Sequence, residues 1–266
     1  MKIGIFDSGV GGLFVLREIV KTLPGYDYIY LGDTKRVPYG NRSPAVIYSF
    51  TRQAVDFLFK NDCKLVILAC NTASAQALRM IQREYLPKHY PDRRVLGVII
   101  PTVEVIVEGD RVSRVGVLAT KATVDSKSFL KEFKKRNPKL KVYQKAAPML
   151  VPLIESGGLK FIEPFLKDYL APFQKARVQK LILGCTHYSA IAGKIQKQCA
   201  GKIEVLPQDK IVADKLAAYL KAHPEIEKTL TKNRKREFLF TDLTSSVKQI
   251  GKKWFGKSIR PKLANL

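Results

Sequence analysis

The sequence predicts an α/β protein built from two similar α/β domains with mostly parallel sheets. Short apolar runs rich in Val, Ile and Leu alternate with segments of helical period, which is typical of parallel strands covered by helices on both faces. The chain also resembles itself: IGIFDSG (3–9) is similar to VGVLATK (115–121), and VILACNTASA (66–75) is similar to LILGCTHYSA (181–190). The two offsets, 112 and 115 residues, are nearly equal and indicate two copies of one α/β unit.

Each predicted element follows from its local pattern. Short apolar runs predict strands at 2–6, 28–31, 64–69, 95–100, 114–119, 140–144, 179–184, 202–206 and 236–241. Helical periodicity is clear between them, for example at 43–60 and 126–136. We expect residues 1–96 with 208–266 to form the first domain and 97–207 the second, related by a pseudo-two-fold axis. Because ligands bind at the carboxyl ends of parallel strands, the active site is expected in the cleft between the domains.

Composition excludes several classes of protein. The 266 residues are 46% hydrophobic and 26% charged, which is ordinary for a globular protein. The N-terminal stretch MKIGIFDSG reaches Asp7 too soon for the apolar region of a signal peptide. No apolar run approaches the roughly 18 residues of a membrane span. We therefore expect a cytoplasmic enzyme without a membrane partner.

The charge balance is strongly basic. The chain has 47 Lys and Arg against 23 Asp and Glu, a net charge of +24. The basic residues are spread out and are densest at 131–141, 232–236 and 251–257. This distribution favours a solvated basic surface, although weak non-specific nucleic-acid binding stays open. The positive field is also suited to attracting an anionic substrate.

The four cysteines fall into two groups. Cys70 and Cys185 each end an apolar strand and begin a helix, where the helix dipole is expected to lower the thiol pKa and favour the reactive thiolate. The alternative is that each is a small buried hydrophobe. Cys63 and Cys199 lack polar neighbours of this type and are predicted to be structural. The spacing of the four cysteines fits neither a zinc site nor a C-x-x-C pair, so we expect no metal. Without a secretory signal, we expect free thiols.

Two polar residues close to these junctions are candidates for proton transfer. His187, two residues after Cys185, can exchange a proton near neutral pH, or it can simply satisfy a helix N-terminus. Asp7 ends the first strand in FDSGVGG, where it can orient or deprotonate a neighbour or act as a helix cap. This glycine-rich stretch is not G-x-G-x-x-G, which argues against a dinucleotide site.

Further candidates lie in two loops. Tyr39 and Gly40, in VPYG after the second strand, can offer backbone N–H groups to a carboxylate, or they form an ordinary turn. Glu155, before a Gly-Gly break, is either a functional acid or a solvated helix end.

Taken together, six stretches resemble the glutamate racemases of the aspartate/glutamate racemase superfamily. They are FDSGVGGL (6–13), YLGDTKRVPYG (30–40), ILACNTASA (67–75), GVLATKATV (116–124), VPLIESG (151–157) and LILGCTHYS (181–189). The resemblance implies two α/β domains with the active site between them. It also implies an enzyme that interconverts L- and D-glutamate without a cofactor and supplies D-glutamate for peptidoglycan. A homodimer is expected as well.

The resemblance assigns roles residue by residue. Cys70 and Cys185 correspond to the two acid/base thiols, facing the α-hydrogen of D-glutamate and of L-glutamate respectively. Asp7, His187 and Glu155 correspond to groups that assist them. The residues that correspond to substrate contacts are Asp7, Ser8, Tyr39, Gly40, Asn71, Thr72, Thr120, Thr123, Thr186 and His187.

Departures from the family pattern leave neighbouring activities open. Ala147 stands where many relatives have a third cysteine, and LPQDKIVADKL (206–216) differs from the usual segment at the domain junction. An aspartate or hydantoin racemase is the nearest alternative. A one-cysteine decarboxylase is disfavoured by the presence of both thiols. A basic polyanion-binding protein on the same fold is a further alternative, although no aromatic-basic motif supports it.

Overall fold

The computed structural model describes residues 1–109 and 112–266, and its strands form two sheets. In chain order the strands are β1 (Lys2–Asp7), β2 (Tyr28–Gly32), β3 (Cys63–Leu68), β4 (Arg94–Gly97), β5 (Arg114–Ala119), β6 (Lys141–Ala146), β7 (Lys180–Gly184), β8 (Glu204–Leu206), β9 (Arg236–Phe240) and β10 (Pro261–Leu263). The first sheet has the order β10-β9-β2-β1-β3-β4 and the second has the order β6-β5-β7-β8. All strand pairs are parallel, so the predicted fold class is confirmed.

Helices connect the strands as expected for parallel sheets. They are α1 (Gly12–Thr22), α2 (Pro44–Lys60), α3 (Asn71–Gln76), α4 (Leu78–Met80), α5 (Leu86–His89), α6 (Ile99–Glu108), α7 (Lys121–Asp125), α8 (Ser128–Arg136), α9 (Leu150–Glu155), α10 (Ile162–Lys175), α11 (Ala192–Gln198), α12 (Asp209–Ala222), α13 (Pro224–Glu227) and α14 (Ser245–Trp254). A π-helix spans Ile81–Tyr85, and 3₁₀ helices span Tyr39–Asn41, Gly158–Phe161 and Thr186–Ile191. Among the described residues, no helix is both long and apolar enough to cross a membrane.

The two sheets have equivalent central strands. The order β2-β1-β3-β4 in the first sheet corresponds to β6-β5-β7-β8 in the second. The apolar runs of β3 and β7 are buried almost throughout, as their continuous Val/Ile/Leu content predicts. Cys70 follows β3 and Cys185 follows β7, so the internal repeat in the sequence places the two thiols at equivalent strand ends.

One core cluster joins the two halves. It includes Ile5 and Leu13 from the first half together with Leu183 and Tyr188 from the second. Helix α12 packs on α1 and also contacts α6, so the chain after β8 returns to the first sheet. The proposed domain division at 96/97 and 207/208 remains a prediction.

Two elements differ from the prediction. The run 95–100 was predicted as a single strand, but β4 ends at Gly97 and α6 begins at Ile99. A short buried apolar run is compatible with either a strand or a helix, and Pro101 fits the first turn of a helix, where its missing N–H costs little. Strand β10 was not predicted, because PKL has no apolar pattern of its own and is defined by pairing with β9.

Candidate active site

A cleft at the carboxyl ends of the central strands brings most of the predicted residues together. The predicted residues that line it are Ser8, Tyr39, Gly40, Cys70, Asn71, Thr72, Thr120, Cys185, Thr186 and His187. The other three predicted residues, Asp7, Thr123 and Glu155, lie behind this lining and hydrogen-bond to members of it. Both predicted thiols therefore lie on a single cleft, each contributed by a different sheet.

The Cys70 thiol is buried at the start of α3. Its Sγ lies 3.4 Å from the Ser8 Oγ, and the side chain is 6% exposed. Burial raises the pKa of this thiol to about 12, and the negative charge of Asp7 acts in the same direction. Hydrogen bonds from Ser8 and from the Ala73 N–H oppose the rise without cancelling it. The expected lowering of the Cys70 pKa by the helix start is therefore wrong for the free protein, because desolvation outweighs the dipole of a six-residue helix.

The Cys185 thiol has a titratable neighbour instead. Its Sγ lies 4.0 Å from His187 Nδ1, and His187 Nε2 lies 2.7 Å from the Oε1 of Glu155. Burial lowers the pKa of His187, but hydrogen bonding and charge interactions with Cys185 and Glu155 outweigh it, so the pKa is raised well above the usual value. These contacts therefore favour the protonated form of the imidazole.

Asp7 is fully buried and links the two halves of the site. Its Oδ1 accepts a hydrogen bond from the Gly9 N–H at 2.9 Å, and its Oδ2 accepts one from the Thr186 hydroxyl at 3.0 Å. Burial raises the pKa of Asp7, although the positive charge of His187 and the donated hydrogen bonds partly oppose this. The carboxyl group can therefore take up a proton more readily than an exposed aspartate.

Three threonine hydroxyls meet on the other wall. Thr72 Oγ1 lies 2.9 Å from Thr120 Oγ1 and 3.4 Å from Thr123 Oγ1, and the last two oxygens are 3.0 Å apart. Thr120 also caps α7 by accepting from the Thr123 N–H at 3.3 Å. The cluster supplies several hydroxyl donors within one small buried region, which suits a carboxylate.

The loop that carries Tyr39 and Gly40 is held by a residue that the sequence prediction did not single out. Asp33 is fully buried and accepts hydrogen bonds from Tyr39 Oη at 2.5 Å, Arg36 Nε at 2.6 Å and Thr241 Oγ1 at 2.8 Å. Asp33 is the acidic residue of GDT in the stretch YLGDTKRVPYG, and this was the signal in the sequence that could have identified it. Asp33 thus fixes the ring of Tyr39 and, through it, the backbone at the cleft.

A second residue missed by the prediction lies at the junction between the sheets. Gln208 Oε1 accepts a hydrogen bond from Asn71 Nδ2 at 2.6 Å, and Gln208 is 4% exposed. The segment 206–216 was recognised as unusual for the family, but its pattern did not reveal which of its side chains is turned inward.

As for metals, the described residues contain no cluster of three or more His, Cys, Asp or Glu that could hold an ion.

The fold and the cleft define a class of enzyme. Two parallel sheets with equivalent strand orders each contribute one thiol to the same cleft. Residues 3–215 match the family described as Asp/Glu/hydantoin racemase, and the chain belongs to this family.

Similar proteins support the assignment to this family. The glutamate racemase of Aquifex aeolicus is 36% identical over 271 residues, covering all of this chain and 98% of the relative. That of Ruegeria pomeroyi is 40% identical over 238 residues, covering 85% and 87% of the two chains. Family and relatives together make this chain an amino-acid racemase.

Solved structures are similar over their full length. The glutamate racemase of Francisella tularensis, in complex with D-glutamate, has a TM-score of 0.88 and 32% identity, covering 100% of this chain and 97% of that one. The RacE1 isoform of Bacillus anthracis has a TM-score of 0.90 and 31% identity, with the same coverage.

Proposed function

We propose that this protein is a glutamate racemase that moves protons between Cys70, Cys185 and the α-carbon of the substrate, without a cofactor. The observation that carries the proposal is the position of the two thiols at equivalent strand ends on one cleft. The glutamate racemase names of the relatives and the D-glutamate bound in one similar structure support glutamate as the substrate.

The chemistry requires a proton donor and a proton acceptor on opposite faces. Enantiomers have equal free energy in water, so the enzyme must work in both directions, and each thiol must be able to act as acid and as base. The raised pKa of Cys70 keeps this thiol protonated in the free protein, ready to act as an acid. On the other face, His187 lies close enough to the Cys185 sulfur to exchange a proton with it.

Assisting groups differ between the two faces. Ser8 and Asp7 lie on the Cys70 side, and the His187–Glu155 pair lies on the Cys185 side. In this proposal Asp7 and His187 help their thiols change protonation state, and Glu155 holds His187. The proposed arrangement supplies base and acid to either enantiomer.

Holding the two carboxylates orients the α-hydrogen toward a thiol. In this proposal the two carboxylates are bound by the backbone N–H groups of Tyr39 and Gly40, by the threonine cluster, and by donors from Ser8, Thr186 and His187. Asn71 is a further substrate contact. Fixed donors in a site with little water stabilise the charge that develops when the α-proton leaves, and the ammonium retained by the substrate adds to this. The net charge of +24 is suited to attracting the dianionic carboxylate pair.

The biological product under this proposal is D-glutamate for peptidoglycan. The test is circular dichroism or polarimetry of purified protein with L-glutamate and D-glutamate, alongside L-aspartate and D-aspartate, before and after dialysis against a chelator. We expect both glutamate enantiomers to converge on the racemic mixture without added cofactor. Conversion of aspartate alone, or a strict need for restored metal or pyridoxal phosphate, would contradict the proposal.

A further inference from the structure

We infer that Gln208 is a positioning residue that orients the side-chain amide of Asn71, so that Asn71 Oδ1 accepts a hydrogen bond from the substrate ammonium. The inference rests on the proposed glutamate racemase activity and adds a residue outside the family motifs. Gln208 immediately precedes α12 and lies at the junction between the second sheet and the returning chain.

Two neighbours fix the amide of Gln208 itself. The Val98 carbonyl oxygen can only accept hydrogen bonds, and it lies 3.3 Å from Gln208 Nε2 and 2.8 Å from Thr102 Oγ1. Since the single hydroxyl proton of Thr102 is donated to Val98, Thr102 Oγ1 can only accept from Gln208 Nε2, which lies 2.8 Å away. Both contacts require the nitrogen of the Gln208 amide at this position.

The orientation of Gln208 then determines that of Asn71. With Nε2 turned to Val98 and Thr102, Gln208 Oε1 faces Asn71 and can only accept, so Asn71 presents Nδ2 at 2.6 Å. This leaves Asn71 Oδ1, which is buried and has no hydrogen-bond partner among the residues that the structure describes. Asn71 lines the cleft, so a molecule bound there is the partner available to this acceptor.

The chemistry of the substrate identifies the partner of this oxygen. At neutral pH the two carboxylates of glutamate only accept hydrogen bonds, and its ammonium is its sole donor. A buried acceptor without a partner is costly, and a charged donor offsets that cost strongly. The opposite amide orientation would present Nδ2 to the cleft and favour a carboxylate. Gln208 therefore decides which substituent of the α-carbon binds at Asn71.

The test substitutes Gln208→Met, which keeps the length of the side chain and removes its hydrogen bonds to Asn71, Val98 and Thr102. Without the hydrogen bond to Gln208 Oε1, the Asn71 side-chain amide is free to rotate. We expect KM for L- and D-glutamate to rise about tenfold or more, since a hydrogen bond to a charged group is lost. The inhibition constant of glutarate, the same dicarboxylate without the ammonium, should change by less than about twofold, because no donor is lost from that ligand.

A substitution at a half-buried glutamine controls for the loss of a side-chain amide that donates to a backbone carbonyl. Gln82 donates to the Val95 carbonyl at 2.8 Å and lies outside the cleft, so Gln82→Met should leave both constants unchanged. Equal weakening of glutamate and glutarate by Gln208→Met would mean a general distortion of the cleft and would overturn the inference.

A second measurement needs no variant. A crystal structure of the wild-type protein with D-glutamate should place the ammonium nitrogen within hydrogen-bonding distance of Asn71 Oδ1. An ammonium located elsewhere would overturn the inference even if Gln208→Met failed to fold. Absence of racemisation in the wild type, with the ammonium at Asn71, would instead contradict the proposed function.

Discussion

Glu155 Oε1 lies 2.7 Å from Nε2 of His187, and this contact acts together with that to Cys185 in raising the pKa of the imidazole. Near Cys70, the described neighbours are instead Ser8 and the buried carboxyl of Asp7. The two faces of the cleft therefore have equivalent backbone positions but different electrostatics. Because of this difference, substitutions on the two faces should give separable effects.

Replacing Glu155 with Gln should change the pH dependence of stability. Contacts with Cys185 and with Glu155 raise the pKa of His187 above its unfolded value of about 6.5. Glu155 therefore contributes part of a stabilisation that is present below about pH 6.5 and is lost as pH rises through the raised pKa. Glu155→Gln should therefore lower the free energy of unfolding by about 1.5–3 kcal/mol near pH 6, with a shrinking difference at higher pH. Urea unfolding at a series of pH values measures this.

An exposed His–Glu pair in the same chain provides the control. His223 Nδ1 lies 3.1 Å from Glu225 Oε1, and both side chains are well exposed to solvent. Solvent screening makes such a pair worth little, so Glu225→Gln should leave stability nearly unchanged at every pH. A pH-independent loss in Glu155→Gln would show that Glu155 acts by packing and not through the charge of His187.

Much of this architecture could be predicted from periodicity alone. The buried runs that became β1, β3, β5 and β7 are apolar apart from charged residues at or next to their ends, and the internal repeat identified their equivalence. The thiols, being at the ends of two such runs, could be located without knowledge of the tertiary structure. Strand β10 could not be located in this way, because these three residues at the sheet edge form a strand only through their pairing with β9.

The electrostatics of the site were less predictable. A helix start predicted a lowered pKa for Cys70, whereas burial, which depends on the whole fold, raises it to about 12. Asp33 and Gln208 were also missed, since each acts through neighbours that are distant in sequence, such as Thr241 and Thr102. Roles of this kind follow from contacts between elements, which local patterns do not encode.

Alkylation should report the raised pKa of Cys70. With a pKa of about 12, its rate of reaction with iodoacetamide should rise about tenfold per pH unit up to pH 9 without levelling off, because only the thiolate reacts. Mass mapping should find Cys70 and Cys185, which line the cleft, labelled before Cys63 and Cys199, and glutamate should protect them. A plateau for Cys70 near pH 8.5, the value of a free thiol, would contradict the effect of burial.

Adding one methyl group at Gly40 should disturb the cleft. A Cβ at this position would lie 2.8 Å from the Thr120 Cβ, so the Tyr39–Asn41 turn and the start of α7 must move apart. We expect Gly40→Ala to lower kcat/KM for glutamate by about 10- to 100-fold, since small displacements of binding groups are costly. Gly193, which has open space around its Cβ position, is the matched control, and Gly193→Ala should retain full activity.

The C-terminal region predicts weak, salt-sensitive binding to duplex DNA. Lys248, Lys252, Lys257 and Arg260 surround one surface groove, which we call the C-terminal basic groove. If this groove contacts phosphates, replacing its three lysines with Gln should reduce the slope of log K against log salt by up to about 0.9 per contact between 50 and 200 mM salt. Fluorescence anisotropy with a labelled duplex measures the slope, and racemisation should be unaffected.

Lysines already engaged in surface ion pairs serve as the comparison. Lys21, Lys60 and Lys194 lie 2.7, 2.7 and 3.2 Å from carboxylates, and replacing them with Gln removes the same charge. This triple variant should retain a steeper slope than the groove variant. Equal slopes for the two triple variants would mean that binding depends on net charge and not on the C-terminal basic groove. Tight, sequence-selective binding at 200 mM salt would contradict the prediction of weak, non-specific contacts.

Deuterium exchange tests whether one thiol serves each face. Cys185→Ser leaves Cys70 as the competent base, and a serine hydroxyl is far less acidic than a thiol, so inversion should fall by orders of magnitude. In deuterated water this variant should still exchange the α-hydrogen of D-glutamate while barely exchanging that of L-glutamate, and Cys70→Ser should show the opposite preference. The equilibrium constant between enantiomers stays at one, so no variant can make kcat/KM for inversion directional. The measurement must therefore follow exchange by proton NMR alongside inversion. If both variants exchange the same enantiomer, or if either retains near-wild-type inversion, the assignment of Cys70 and Cys185 to opposite faces is wrong.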